Sequence, residues 1–179
     1  MSEDRRLLNG LRHGDTNALR RIYLKYKDDL ITVAGSLLCD VNTAEDCLQD
    51  VFVSLASDAH EIRSSLKGYL LSCVVNRARD HLRRSTARSN CQVNMQTQRT
   101  VGAMDPENIL TQDEQKRILI RALERLSREQ REVIVLHLQG DMKFRQIAAM
   151  LNMSINTVQS RYRYGMEKLR QLLTKKEAI

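Results

Sequence analysis

The chain has no tryptophan, one proline (Pro106), seven glycines and two phenylalanines in 179 residues. Scarcity of proline and glycine leaves long stretches with nothing to break a helix, and it argues against a turn-rich all-β fold. Four cysteines (Cys39, Cys47, Cys73, Cys91) stand at irregular spacings with no C-x-x-C pair. That pattern excludes the usual zinc frameworks. The first three lie among apolar residues and read as core thiols, which fits a reducing cytoplasm. No apolar run approaches membrane-span length, and the charged start MSEDRRLLNG has no signal-peptide core. There is no glycine-rich phosphate loop, metal-ligand cluster or nucleophile elbow. His81 beside Asp80 gives no acid–base pair, because adjacent helical residues point apart. The chain therefore reads as no enzyme, with no cofactor and no metal.

What is present is apolar content and positive charge. Apolar residues make up 42% of the chain, enough for a core, and the net charge is +7. The basic balance points to an anionic partner, nucleic acid before an acidic membrane surface. Periodicity predicts an all-α protein of two small helical domains. In the first, Asp15 caps a helix to about Cys39, with Leu19, Ile22, Tyr26, Leu30, Val33 and Leu37 on one face. Asn42 with Glu45, or Thr43 with Asp46, opens a second helix whose inner face is Ala44, Leu48, Val51 and Leu55. A third runs from about Ser65 to Ser85 on Leu66, Leu70, Val74, Ala78 and Leu82. These define a domain over residues 1–88.

Residues 89–110 are polar, aperiodic and hold the one proline, so they read as a linker. About 22 extended residues reach at most roughly 70–80 Å, or about 20 base pairs of duplex at roughly 3.4 Å each. The second domain, residues 111–179, starts with a stripe of Leu119, Leu123 and Leu126. Ser127 and Gln130 form a capping box for the next helix, which carries Val133 to Leu138 and ends at Gly140. Residues 144–170 then read as helix, tight turn and longer basic helix, with Asn152 left-handed at the turn and Ser154 capping the last helix. Ile155, Val158, Tyr162, Met166, Leu169 and Leu173 face inward onto Ile147, Ala148 and Leu151. Ser154, Asn156, Thr157, Gln159, Ser160, Arg161, Arg163 and Tyr164 lie near the start or on the outer face. This is the chemistry of a DNA-reading helix: Asn and Gln pair with adenine edges, Arg with guanine or phosphate.

Two other surfaces stand out. On the third helix Asn76, Arg79, Asp80 and Arg83 share an outward stripe, flanked by Arg77 and Arg84 and extended by Arg63, Lys67 and Arg88. Asp80 is expected to pair with Arg77, Arg83 or Arg84. On the second helix Asp46, Gln49, Asp50 and Val53 form an acidic outward face. DNA would repel it, so it meets water or a protein, and spacing alone favours water.

Taken together, AEDCLQDVF (residues 44–52), NRARDHLRR (76–84) and IAAMLNMSINTVQSR (147–161), in that order, resemble the extracytoplasmic-function (ECF) group of sigma-70 RNA polymerase sigma factors. The resemblance covers nearly the whole chain and implies roles. Asp46, Gln49, Asp50 and Val53 would dock on the clamp helices of the polymerase's largest subunit. Arg63, Lys67, Asn76, Arg77, Asp80, Arg83 and Arg84 would read and help open the −10 element, with residues 57–65 holding a flipped base. Ser154, Asn156, Thr157, Gln159, Ser160, Arg161 and Arg163 would read the −35 element. The linker would thread the polymerase towards the RNA exit. Partners would be core RNA polymerase, promoter DNA and, on the resemblance alone, an anti-sigma factor, with no membrane insertion. The chain departs from the family at Ala56 and Tyr69, where tryptophan is frequent, and at Gln146, Asn156 and Tyr164–Gly165. Few aromatics mean weak base stacking, so melting would need a near-optimal promoter. Two other readings compete: a two-domain helix-turn-helix regulator acting without polymerase, and an interaction-only helical adaptor.

Overall fold

The computed structural model describes residues 3–58, 62, 65–91 and 110–174. Among them are eight helices and no strand: α1 Glu3–Arg12, α2 Thr16–Leu38, α3 Val41–Asp58, α4 Leu66–Cys91, α5 Leu110–Glu124, α6 Arg128–Leu138, α7 Phe144–Leu151 and α8 Ile155–Thr174. Most of the predicted linker lies outside the described residues, but its first three positions continue α4.

Caps set the helix limits. Asp15 accepts from Asn17 N at 2.8 Å and opens α2. Its other end is Cys39, left-handed at φ 57°, whose N–H donates to Gly35 O. The start of α3 corrects the sequence reading. Asp40, not Asn42 or Thr43, is the cap, accepting from the Thr43 N–H at 2.9 Å and from the Thr43 hydroxyl. Only two residues, Cys39 and Asp40, separate the two helices, so the cap falls immediately after Cys39, where periodicity does not look. Helix α1 was not foreseen. Leu7, Leu8 and Leu11 bury it on the bundle, and Glu3 and Asp4 fasten it to Lys25 of α2. Arg12 of α1 donates to Ile62 O at 2.7 Å.

In the second half, Ser127 and Gln130 make the reciprocal capping box. The tight turn after α7 holds Asn152 at φ 53°, and Ser154 accepts from Thr157 N at 3.1 Å. Gln146 accepts from Lys143 N at 2.8 Å, so glutamine serves as an acceptor at the head of α7. Two expected core positions are exposed, Leu119 and Leu138. Leu126 is buried but lies beyond the end of α5.

The apolar interior does not divide where the sequence suggests. One cluster runs from Leu7, Ile22, Val51 and Val74 through Val133, Leu136, Ile147 and Val158. A smaller one joins Ala122, Leu123, Leu126, Ile134 and Leu169, with Cys39 of the first half packed on it. Helix α2 packs directly on α6. The Cys47 thiol is buried, and burial pushes it up to about 11, so it stays protonated.

Candidate promoter and polymerase interfaces

Helices α3 and α4 bury Ala44, Leu48, Val51 and Leu55 against Leu70, Val74 and Ala78. Their outer faces lie side by side. On α3, Asp46, Gln49 and Asp50 are exposed, and Val53 is 68% exposed, which is a large exposure for an apolar side chain. Val53 and Gln49 border a groove of about 620 Å³ between α2 and α3. Leu19, Tyr23, Ile31 and Phe52 supply its apolar wall, and the Tyr23 and Phe52 rings meet edge to face at 5.0 Å. Of these the sequence reading named only Leu19, as part of an inner face, and it missed the groove. Tyr23, Ile31 and Phe52 lie beside the apolar stripes that periodicity picks out, so spacing alone assigns them no face.

On α4, Asn76, Arg77, Arg83 and Arg84 are exposed. Asp80 pairs with Arg83 at 3.1 Å. Arg77 turns to α3, donating to Ser54 Oγ at 2.9 Å and lying 3.7 Å from Asp50. The acidic and basic surfaces are thus joined by an ion pair. Lys67 lies 3.7 Å from Asp29 of α2. Arg63 and most of residues 57–65 lie outside the described residues. Arg79 departs from the expected outward stripe. It is half-buried, donating from Nε and Nη2 to Glu132 of α6 at 2.8 and 2.6 Å. The stripe fails there because the Arg79 side chain reaches across to the buried Glu132 carboxylate of α6.

Helices α7 and α8 form the helix-turn-helix. Ile147, Ala148 and Leu151 pack against Val158, and Phe144, Tyr162 and His137 stack as a three-ring cluster with centroids 4.4 to 5.2 Å apart. Gly165 is explained by packing. A Cβ there would lie 2.8 Å from Ile134 Cδ1 and 3.1 Å from Gln130 Cβ. Ser154, Asn156, Gln159 and Arg163 are exposed, and Thr157, Ser160 and Arg161 half-buried. Asn156, Thr157, Ser160, Arg161 and Tyr164 line a polar groove of about 460 Å³ against Ser127, Glu129 and Gln130 at the head of α6. Arg161 Nη1 reaches Met153 Sδ at 3.4 Å, and the Arg163 guanidinium stacks over the Tyr164 ring at 4.9 Å. Hydrogen bonds from its own backbone and from Ser127 hold the Glu129 carboxyl below the usual range, with Arg161 and Arg128 assisting.

Comparison with known proteins matches both halves in the same order. Residues 22–88 fit the model "Sigma-70 region 2" and residues 116–169 fit "Sigma-70, region 4". The chain belongs to the sigma-70 family. Its relatives place this sigma factor in the ECF group and make it a factor of transcription initiation. It is 28% identical over 165 residues to the ECF RNA polymerase sigma factor SigX of Bacillus subtilis, covering 84% of this chain and 80% of SigX. It is 24% identical to the ECF RNA polymerase sigma-E factor of Escherichia coli K12, covering 88% and 87%. In fold it resembles the sigma factor RpoE from Bartonella quintana, solved in complex with the anti-sigma factor NepR. The TM-score is 0.73 at 24% identity, over 87% of this chain and 96% of that one. A second fold match is CnrH, solved with the cytosolic domain of CnrY, at TM-score 0.69 and 22% identity, over 97% and 99%.

Proposed function

We propose that this sigma factor works through three surfaces, with region 2 over residues 1–88, a connecting stretch over 89–110 and region 4 over 111–179. Asp46, Gln49, Asp50 and Val53 dock on the clamp helices of the polymerase's largest subunit. The apolar groove beside them takes a side chain from that partner. Lys67, Asn76, Arg77, Asp80, Arg83 and Arg84, with Arg63, bind the −10 element and favour its open form. Ser154, Asn156, Thr157, Gln159, Ser160, Arg161 and Arg163 read the −35 element from the major groove. The polymerase supplies the chemistry, and the chain supplies address and strand opening; it is not itself an enzyme. No helix among the described residues is long and apolar enough to cross a membrane, and the chain acts inside the cell where polymerase and promoters are. An anti-sigma factor is a further partner, on the analogy of RpoE.

The observation that carries this reading is the Arg77–Asp50 pair. It sets an acidic, partly apolar surface directly beside a basic one on adjacent helices, a layout that suits a factor bridging polymerase and DNA. The test is run-off transcription with core polymerase from the same host and a library of that host's promoter fragments. Discrete transcripts that depend on the chain are expected, and their start sites deliver the −10 and −35 sequences. Duplex binding without polymerase and without transcripts would instead make it a stand-alone regulator.

A further inference from the structure

Glu132 is the one charged residue fully buried among the described residues, at 4% exposure. It belongs to region 4, yet its main partner is Arg79 on the DNA-facing helix of region 2, which reaches it with two hydrogen bonds of 2.8 and 2.6 Å. Arg128 adds a third at 3.2 Å from within α6. The neighbouring Arg131 makes a second bridge. Its Nη1 donates to Leu37 O at 2.9 Å and touches Cys39 Sγ at 3.3 Å, while Nε and Nη2 hold Leu123 O and Glu124 O. One guanidinium thus caps the negative C-terminal ends of both α2 and α5. Two adjacent residues of α6 tie region 4 to region 2 at α4 and α2.

A carboxylate and a phosphate present arginine with the same pair of acceptor oxygens. The Glu132 carboxylate is buried, so removing Arg79 would leave an unpaired charge inside the fold. With the Glu132 carboxylate seated on it, the bonded edge of Arg79 is closed to any other anion, and the negative charge repels a phosphate approaching α4. We propose that Glu132 stands in for a DNA phosphate: it holds Arg79 while the chain is free and yields that guanidinium to the promoter backbone when the two regions part. Arg79 is then a phosphate-binding residue that the exposed stripe of α4 does not reveal, and Glu132 is a latch. The inference rests on the promoter-binding role of α4 argued above.

The test uses the full chain, a short mixed-sequence duplex without polymerase, and small-angle scattering. Glu132→Gln should enlarge the radius of gyration and tighten duplex binding, with a log affinity against log salt slope steeper by about one contact. The double variant R79A/E132Q should be equally enlarged but return to the wild-type slope, and it leaves no buried unpaired arginine if the single variant folds poorly. An unchanged radius in both variants would overturn the latch. Equal slopes in the two variants would overturn Arg79 as the phosphate contact. If these expectations hold but no polymerase-dependent transcript forms, the latch stands and the sigma role falls.

Discussion

Gly140 shows how one atom decides the shape of the region 4 half. A Cβ at this position would lie 2.7 Å from the Leu136 carbonyl oxygen, which is backbone and cannot move aside. Gly140→Ala should therefore destabilise the fold by about 1–3 kcal/mol, read by urea unfolding. Gly165 is more forgiving, since the nearest atom is the end of an isoleucine side chain. Among the polar residues, Arg161 has the most informative setting. It is half-buried, rests on Met153 and lines the polar groove, so its side chain has few conformations to lose on meeting a ligand. Arg161→Ala is expected to weaken −35 binding by about 1–3 kcal/mol, measured by footprinting of the holoenzyme. An unaltered footprint would move the base contact to Asn156 or Gln159.

Several helix ends and the inner faces of α2, α3 and α4 were legible in the sequence, because each rests on local chemistry, whereas the Asp40 cap of α3 and the extension of α4 to Cys91 were not. Asp15, Ser127, Asn152 and Ser154 act within four residues of themselves, and the α2, α3 and α4 apolar stripes follow one period. Helix α1 was not legible, since its short leucine set becomes an inner face only once α2 lies beside it. The same holds for the candidate sites. The α8 residues and the acidic face of α3 could be named from spacing, whereas the Tyr23–Phe52 groove and the turn of Arg79 towards α6 depend on which helix packs where. The attachment of α1 should respond to pH. Burial pushes the Asp4 carboxyl up, but hydrogen bonds from Lys25 and Tyr26 outweigh it and hold it below its ordinary value. A depressed carboxylate stabilises the fold above its unfolded value and loses that contribution as pH falls through the folded one. Unfolding free energy should drop on acidification into the carboxylate range, and Asp4→Asn should flatten part of that drop in a urea series.

At the scale of the molecule, the acidic face of α3 and the basic face of α4 meet at the exposed Asp50–Arg77 pair, and the proposed polymerase-docking role of Asp50 can be tested there. Asp50→Arg should abolish co-elution with core polymerase while helix content stays unchanged. It would also set two guanidinium groups against each other at the α3–α4 boundary, so Arg77→Ala serves as the control for that disturbance. Retained co-elution in Asp50→Arg would place the docking face elsewhere. The continuous core across both regions was the least legible feature, because a polar connecting stretch says nothing about whether its flanks touch. That contact has a kinetic consequence. The Cys39 thiol lies half-buried under Arg131, and burial holds its pKa up. Each parting of the two regions would uncover it briefly. With Cys47 replaced by alanine and Cys73 and Cys91 by serine, the rate at which a small alkylating reagent modifies this one sulfur would count those openings in time, and binding of an anti-sigma factor or of polymerase would register as a slower or faster clock.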